Sequence, residues 1–317
     1  MKAAAYSIKE FEKPLLEKAN QEGHDISYLS LPLNPDTVSY AKGCKAVIVF
    51  VNDDLSASTI RNLAQLGVKY IITRSAGTDH IDFNAVQKYG IQAVNIPSYS
   101  PEAVAEHAVA MAMTLARKLI ISCINSRSFN FKIDDYIGFN FYGKTVGLIG
   151  FGRIGKAAAR IFSGLGCNVW VYDLEPVDEP SVRQVNLKIL LQSADIISLH
   201  VPLTPETSYL INRDTIAKMK KGVMLINTSR GKVLHTEAVL EALKTGQIGY
   251  LGLDVYEYEK GLFFEDHQQD VNKDALLTQL LNFSNVLITP HQAFLTKEAV
   301  EEIAAQTIMK LNDFATS

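Results

Sequence analysis

The chain has 317 residues, of which 47% are hydrophobic and 21% charged, and its formal net charge at pH 7 is −3. That length supports two domains of ordinary size, each with its own core, and excludes a minimal binding module. The near-balanced charge, with no long basic block, argues against nucleic acid or an anionic membrane as the main partner and favours a small ligand.

The first elements in chain order are short apolar runs at residues 3–6, 46–50, 70–73 and 93–96, which predict strands. Residues 56–66 and 83–89 between them carry helical spacing. Strands alternating with helices predict a parallel α/β sheet. Lys9, Glu10, Glu12 and Lys13 interrupt the start before a secretory apolar region forms, so a cytoplasmic protein is expected. Cys44, Cys123 and Cys167 are too widely spaced for a disulfide framework or a Cys-x-x-Cys metal site.

The longest apolar stretch, residues 103–121, contains Glu106, His107, Arg117 and Lys118, so it predicts one buried helix and not a membrane span. Ser100 suits its N-cap, and Pro101 suits the first helical position, where a missing N–H costs nothing.

Residues 145–149 then form an apolar run that leads into Gly150-Phe151-Gly152-Arg153-Ile154-Gly155 and a helical stretch at residues 156–162. In that context the first glycine permits a tight turn, the second close approach of a pyrophosphate, and the third close packing of helix on strand. A second strand, residues 168–172, ends in Asp173, whose carboxylate can bond both ribose hydroxyls and would repel a 2′-phosphate. The pattern predicts NAD as cofactor, with Gly150, Gly152, Arg153, Ile154, Gly155 and Asp173 in contact with it.

Further strands are expected at residues 196–199, 223–226, 249–253 and 286–289, completing a doubly wound sheet. Residues 296–314 read as one amphipathic helix, with Val300, Ile303, Ile308 and Leu311 on related faces. This helix is too short to be a domain, so it must pack elsewhere. A return to the N-terminal sheet gives two Rossmann-like lobes with a cleft between them. Residues 1–99 and 296–317 then form a discontinuous substrate domain, and residues 100–295 form the NAD-binding domain.

Open α/β sheets bind ligands beyond the carboxyl ends of their strands, so residues just after strands are the candidates for chemistry. Arg230 follows one strand, and its fork of donors suits a substrate carboxylate. His291 follows another and suits general acid–base work. Asp254, Glu257 and Glu259 follow a third, and a carboxylate there can orient His291 and favour its charged form. Spacing does not choose among the three acids. His24, His80, His235 and His267 show no ligand spacing, so no metal is expected.

Over essentially its whole length the chain resembles the D-2-hydroxyacid dehydrogenases. The resemblance is carried by Arg74-Ser75-Ala76-Gly77-Thr78-Asp79, Glu106-His107, the glycine loop, Thr228-Ser229-Arg230-Gly231, Leu253-Asp254-Val255-Tyr256-Glu257 with Glu259, and Thr289-Pro290-His291. It implies that Arg230 is the catalytic arginine, His291 the acid–base residue and Glu259 its carboxylate partner. It also implies that Asp254 lies near the nicotinamide, that Thr228, Val201 and Pro202 line the cofactor, and that the Ala76 and Gly77 amides cradle the substrate carboxylate.

Within that family the chain is most similar to the fermentative D-lactate dehydrogenases, through Ser98-Tyr99-Ser100-Pro101, Gly261-Leu262-Phe263-Phe264-Glu265-Asp266 and His291-Gln292-Ala293-Phe294-Leu295-Thr296. This implies NADH-dependent reduction of pyruvate to D-lactate, with Tyr99 and Phe294 lining a small pocket and Phe50 a weaker pocket candidate. It also implies a homodimer or homotetramer, and the apolar stretch from Ala103 supplies a face for it. Two alternatives are a bulkier branched-chain or aryl 2-oxo acid as substrate, and an NAD(H)-responsive binding protein without turnover.

Overall fold

The structure, a computed structural model, describes residues 1–316. Chain contacts divide it into two units, one of residues Met1–Ser100 with the segment from Phe294 onward, the other of residues Pro101–Ala293.

The first unit is built on a five-stranded sheet of β1 (Lys2–Ala5), β2 (Asp25–Tyr28), β3 (Ala46–Val49), β4 (Tyr70–Thr73) and β5 (Gln92–Asn95), in the order β2-β1-β3-β4-β5 and parallel throughout. The central strands are apolar on both faces because helices cover both, as a parallel sheet requires. Ala4, Val47, Val49 and Ile71 pack on one side with Ile60 and Leu63 of the helix Ala57–Gln65. Ala3, Ala5, Ile48 and Ile72 pack on the other with Leu16. The helix Lys297–Thr316 returns to that second face, burying Ala304, Ile308 and Leu311 there. Its start is set by Thr296, whose hydroxyl accepts from the Ala299 N–H at 3.2 Å.

The second unit has a seven-stranded parallel sheet: β6 (Thr145–Ile149), β7 (Asn168–Tyr172), β8 (Arg183–Gln184), β9 (Ile196–Leu199), β10 (Val223–Asn227), β11 (Ile248–Leu253) and β12 (Val286–Ile288), ordered β12-β11-β10-β9-β6-β7-β8. After β6 the chain runs outward to β7 and β8, then crosses back to β9 on the other side. The switch point of this doubly wound sheet therefore lies between β6 and β9, where such folds bind ligands. Strand register aligns Ile149 with Leu199, Leu199 with Asn227, Asn227 with Leu253, and Leu253 with Ile288. The residues that follow them, Gly150, His200, Thr228, Asp254 and Thr289, thus share one edge.

One expectation is corrected. Residues 103–121 do not form a single buried helix: Pro101–Ala116 is helical and largely buried, but Leu119–Arg127 is a second helix, bent by 63° from the first, with no buried residue. The break lies at Lys118, whose φ of +49° is left-handed and cannot continue a helix. Among the described residues no single helix is long and apolar enough to cross a membrane. The edge strands β2 and β8 and the helices Glu12–Ala19, Leu187–Ser193, Thr236–Lys244 and Ala275–Leu281 are additional to the elements expected from the sequence.

Candidate active site

In the second unit the glycine loop joins β6 to the helix Arg153–Gly164, with Gly152 at the N-cap. Gly150 has a φ of +97°, and a Cβ there would stand 2.4 Å from the His200 carbonyl oxygen, so any side chain would force β6 and β9 apart. A Cβ on Gly155 would meet the Gly150 carbonyl at 2.3 Å, while one on Gly152 would meet nothing within 4 Å. Two glycines thus close the turn, and the third leaves open space in front of a helix N-terminus, which suits a pyrophosphate. Arg153 is exposed and Ile154 half-buried beside it.

Asp173 ends β7 and is tied to this loop: its Oδ2 accepts from the Phe151 N–H at 2.6 Å and its Oδ1 from the Glu175 N–H at 3.0 Å. A carboxylate is therefore fixed beside the glycine loop. Across the switch point, the Oγ of buried Thr228 and the Nδ1 of His200 are buried without a hydrogen-bond partner among the described residues. Burial pushes the His200 imidazole down to about 4, so it is neutral at pH 7. Orphaned polar atoms at adjacent strand ends fit a ligand that supplies their partners. Val201 is half-buried and Pro202 exposed just beyond.

Arg230 stands in a turn pinned by Asn227, which is fully buried at the end of β10. The Asn227 amide donates to the Arg230 carbonyl at 2.9 Å, and its oxygen accepts from the Ser229 N–H and hydroxyl at 3.0 and 2.8 Å. Gly231 is needed for close approach: a Cβ there would lie 2.1 Å from the Tyr256 carbonyl carbon. The loops after β10 and β11 touch at that point.

The three acids after β11 have separate tasks. His291 Nδ1 lies 2.8 Å from Glu259 Oε1, and Glu259 Oε2 accepts from the Tyr256 N–H at 2.9 Å. His291 Nε2 has no partner among the described residues and is left for a ligand. Glu257 instead accepts from the Tyr209 hydroxyl at 2.6 Å and the Thr236 N–H at 3.0 Å. Burial raises its carboxyl, but those bonds outweigh burial and hold it below the usual carboxylate range. Asp254 is fully buried and accepts from the Thr289 hydroxyl and from the Gln292 and Ala293 N–H groups at 2.5, 2.9 and 2.9 Å. The loop that carries His291 hangs on this carboxylate.

In the first unit, Ala76 and Gly77 follow β4. Their carbonyls are engaged, Ala76 by the Asn95 amide and Gly77 by the Ser75 hydroxyl, each at 2.7 Å. Their N–H groups donate to nothing among the described residues, so two amides are left for an anion. Phe294 packs its ring 5.8 Å from Phe50 and 6.4 Å from Tyr99, centroid to centroid, which brings the three aromatic candidates together. Behind Phe50, the buried Arg74 guanidinium stacks on its ring at 5.2 Å and is paired with Glu12.

Asn227, Thr289 and Tyr256 hold these groups in place, a role that the sequence assigns to none of them. An asparagine at a strand end before a Ser-Arg-Gly turn is the only sequence signal, and it is generic.

A parallel α/β sheet with a glycine loop at its switch point and a fixed acid after the next strand defines a dinucleotide-binding protein. Residues 109–293 match the D-isomer-specific 2-hydroxyacid dehydrogenase, NAD-binding domain family. The chain is 44% identical over 317 residues to D-lactate dehydrogenase of Escherichia coli K12, covering 99% of this chain and 96% of that one. It superposes on the pyruvate reductase of Chlamydomonas reinhardtii with a TM-score of 0.92 at 42% identity, covering 100% and 96% of the two chains. D-lactate dehydrogenase from Aquifex aeolicus, solved with NAD and lactic acid, gives a TM-score of 0.90 at 33% identity, over 99% and 95%. The chain belongs to the D-isomer-specific 2-hydroxyacid dehydrogenase family and is an NAD-dependent oxidoreductase.

Proposed function

We propose that the enzyme reduces pyruvate to D-lactate, with His291 as acid–base residue, Glu259 as its partner and Arg230 as the substrate-binding cation. The observation that carries this reading is the His291–Glu259 pair at 2.8 Å, with Nε2 directed away from it. NADH would be held by the glycine loop, Asp173, Val201, Pro202 and Thr228 and would supply the hydride, whereas Asp254, expected at the cofactor, is fully buried with its carboxylate spent on Thr289, Gln292 and Ala293.

Glu259, 2.8 Å from Nδ1, holds the imidazole in one orientation. The His291 Nε2 proton is then available for the substrate oxygen as negative charge develops there. Arg230, whose Nη1 donates to the Ser229 carbonyl at 2.8 Å, is the proposed partner of the substrate carboxylate, and the Ala76 and Gly77 amides are proposed anion donors of the first unit. On this reading the unit from Met1 to Ser100 with the C-terminal segment is the substrate domain. Tyr99, Phe294 and Phe50 limit the side chain of the 2-oxo acid to a small group. NADH oxidation with pyruvate, followed by chiral analysis of the product, tests the assignment.

We also propose a cytoplasmic homodimer or homotetramer. The helix Leu119–Arg127 leaves Leu119, Ile120 and Ile124 between 49% and 55% exposed, an apolar face that a second copy of the chain would cover. Light scattering of the purified protein tests this, and a monomer at micromolar concentration would refute it.

A further inference from the structure

We propose that His107 is a positioning residue for the reaction, holding the His291 loop in place through Thr289 and Asp254. The proposal rests on the reading of His291 as the acid–base residue.

His107 lies on the mostly apolar helix Pro101–Ala116, where packing alone is the simpler expectation. Its Nε2 is 3.0 Å from Thr289 Oγ1 and 3.4 Å from Asp254 Oδ1. The Thr289 hydroxyl has one proton, and it goes to Asp254 Oδ1 at 2.5 Å. Toward His107 that oxygen only accepts, so His107 carries its proton on Nε2 and serves both oxygens.

Asp254 in turn fixes three successive residues. Its backbone carbonyl accepts from the His291 N–H at 2.7 Å, and its carboxylate accepts from the Gln292 and Ala293 N–H groups, each at 2.9 Å. His291 has a φ of +54°, a conformation that a non-glycine residue keeps only when its surroundings impose it. Asp254 supplies contacts to this loop from both its backbone carbonyl and its buried carboxylate, and His107 is the side chain that brings that carboxylate a donor from the helix.

The titratable groups facing Asp254 are His107 from the helix and His291 from the loop after β12. Glu259, from the loop after β11, faces His291. Burial raises the Asp254 carboxyl, and the bonds from His107 and Thr289 and the presence of His291 more than offset it, leaving it below the usual range. Without the His107 donor, a fully buried carboxylate takes up a proton at higher pH. Protonated, Asp254 no longer matches all its donors, and the His291 loop is released.

The test compares kcat/KM for pyruvate from pH 4 to 9 in wild type, His107→Leu and His107→Gln. A lost hydrogen bond to a charged group corresponds to a shift of about one to two pH units. Asp254 in wild type stays ionised throughout this window, and His107→Leu is expected to carry its protonation up into the window and so to raise the acidic limb. His107→Gln, whose amide nitrogen can take the place of Nε2, is expected to restore the limb. A uniform loss at every pH, with the limb unmoved, would reduce His107 to packing and overturn the proposal.

Imidazole nitrogen chemical shifts of His107 in the wild-type protein give a second readout that needs neither a folded variant nor turnover. A proton on Nε2 is expected, and a bare Nε2 at neutral pH overturns the proposal. Absence of wild-type pyruvate turnover counts against the proposed function, whereas turnover with an unmoved limb in His107→Leu counts against His107 alone.

Discussion

His291 Nδ1 and Glu259 Oε1 stand 2.8 Å apart although the residues are 32 positions apart in sequence, and the pair is only partly exposed, 14% and 25%. In this geometry one imidazole nitrogen is occupied by a carboxylate and the other is left for chemistry. His291→Gln is expected to lower kcat by about 10²–10⁴-fold, the usual value of a general acid, while leaving NADH affinity close to wild type. Fluorescence titration of NADH beside steady-state kinetics separates the two effects. A variant with near-normal turnover would remove His291 from the mechanism.

Asp173 is the proposed ribose ligand. Asp173→Ala is expected to weaken NADH binding by about tenfold to a hundredfold, from the loss of hydrogen bonds to a charged group, and to narrow the gap between NADH and NADPH. Dissociation constants for both cofactors check this, and an unchanged preference would mean that discrimination lies elsewhere.

Gly231 stands where any Cβ would overlap the Tyr256 backbone. Gly231→Ala is expected to displace the Arg230 turn and to cost about 1–3 kcal/mol of stability through overpacking. Denaturant unfolding gives the stability change. KM for pyruvate is expected to rise in the same variant, since the turn that carries Arg230 is the part displaced.

The two buried acids after β11 set an acid limit on stability. Asp254 and Glu257 both have folded-state values below the ordinary carboxylate value. Their contribution is therefore fully present above the unfolded-state value and is lost as pH falls through the folded-state values. Thermal midpoints are expected to fall on the acid side of about pH 4. In Asp254→Asn the acid-side loss is expected to be shallower, from a lower starting midpoint at pH 7.

Much of this was legible in the chain, for identifiable reasons. Gly150 and Asp173 announce themselves because backbone sterics and ribose chemistry allow few other residues at those positions. The strand ends carrying Arg230 and His291 follow apolar runs bounded by turn residues. Glu259 was not separable from Asp254 and Glu257 by spacing, because its task depends on the Tyr256 N–H holding one carboxylate oxygen. The helix break at Lys118 has no local signal, since neither proline nor glycine marks it. Strand β2, Asp-Ile-Ser-Tyr, is too short for its alternation to register and is fixed by pairing with β1. Nothing near His107 in the chain marks it as a positioning residue, because its partners, Asp254 and Thr289, lie far along the sequence.

The proposed substrate pocket makes a prediction of its own. Phe294→Ala opens space beside Phe50 and Tyr99, and each methylene of substrate is worth about 1–3 kcal/mol in such a pocket. The ratio of kcat/KM for 2-oxoisocaproate over pyruvate is expected to rise at least tenfold in this variant. An unchanged ratio would show that the aromatic cluster does not meet the substrate.

The most direct test is the rate of NADH oxidation by the wild-type protein with pyruvate, against 2-oxoisocaproate and phenylpyruvate, with chiral analysis of the product. Fast turnover of pyruvate to D-lactate, exceeding both larger acids, is the predicted result. Preference for a larger acid, an L-product or no turnover at all would contradict it.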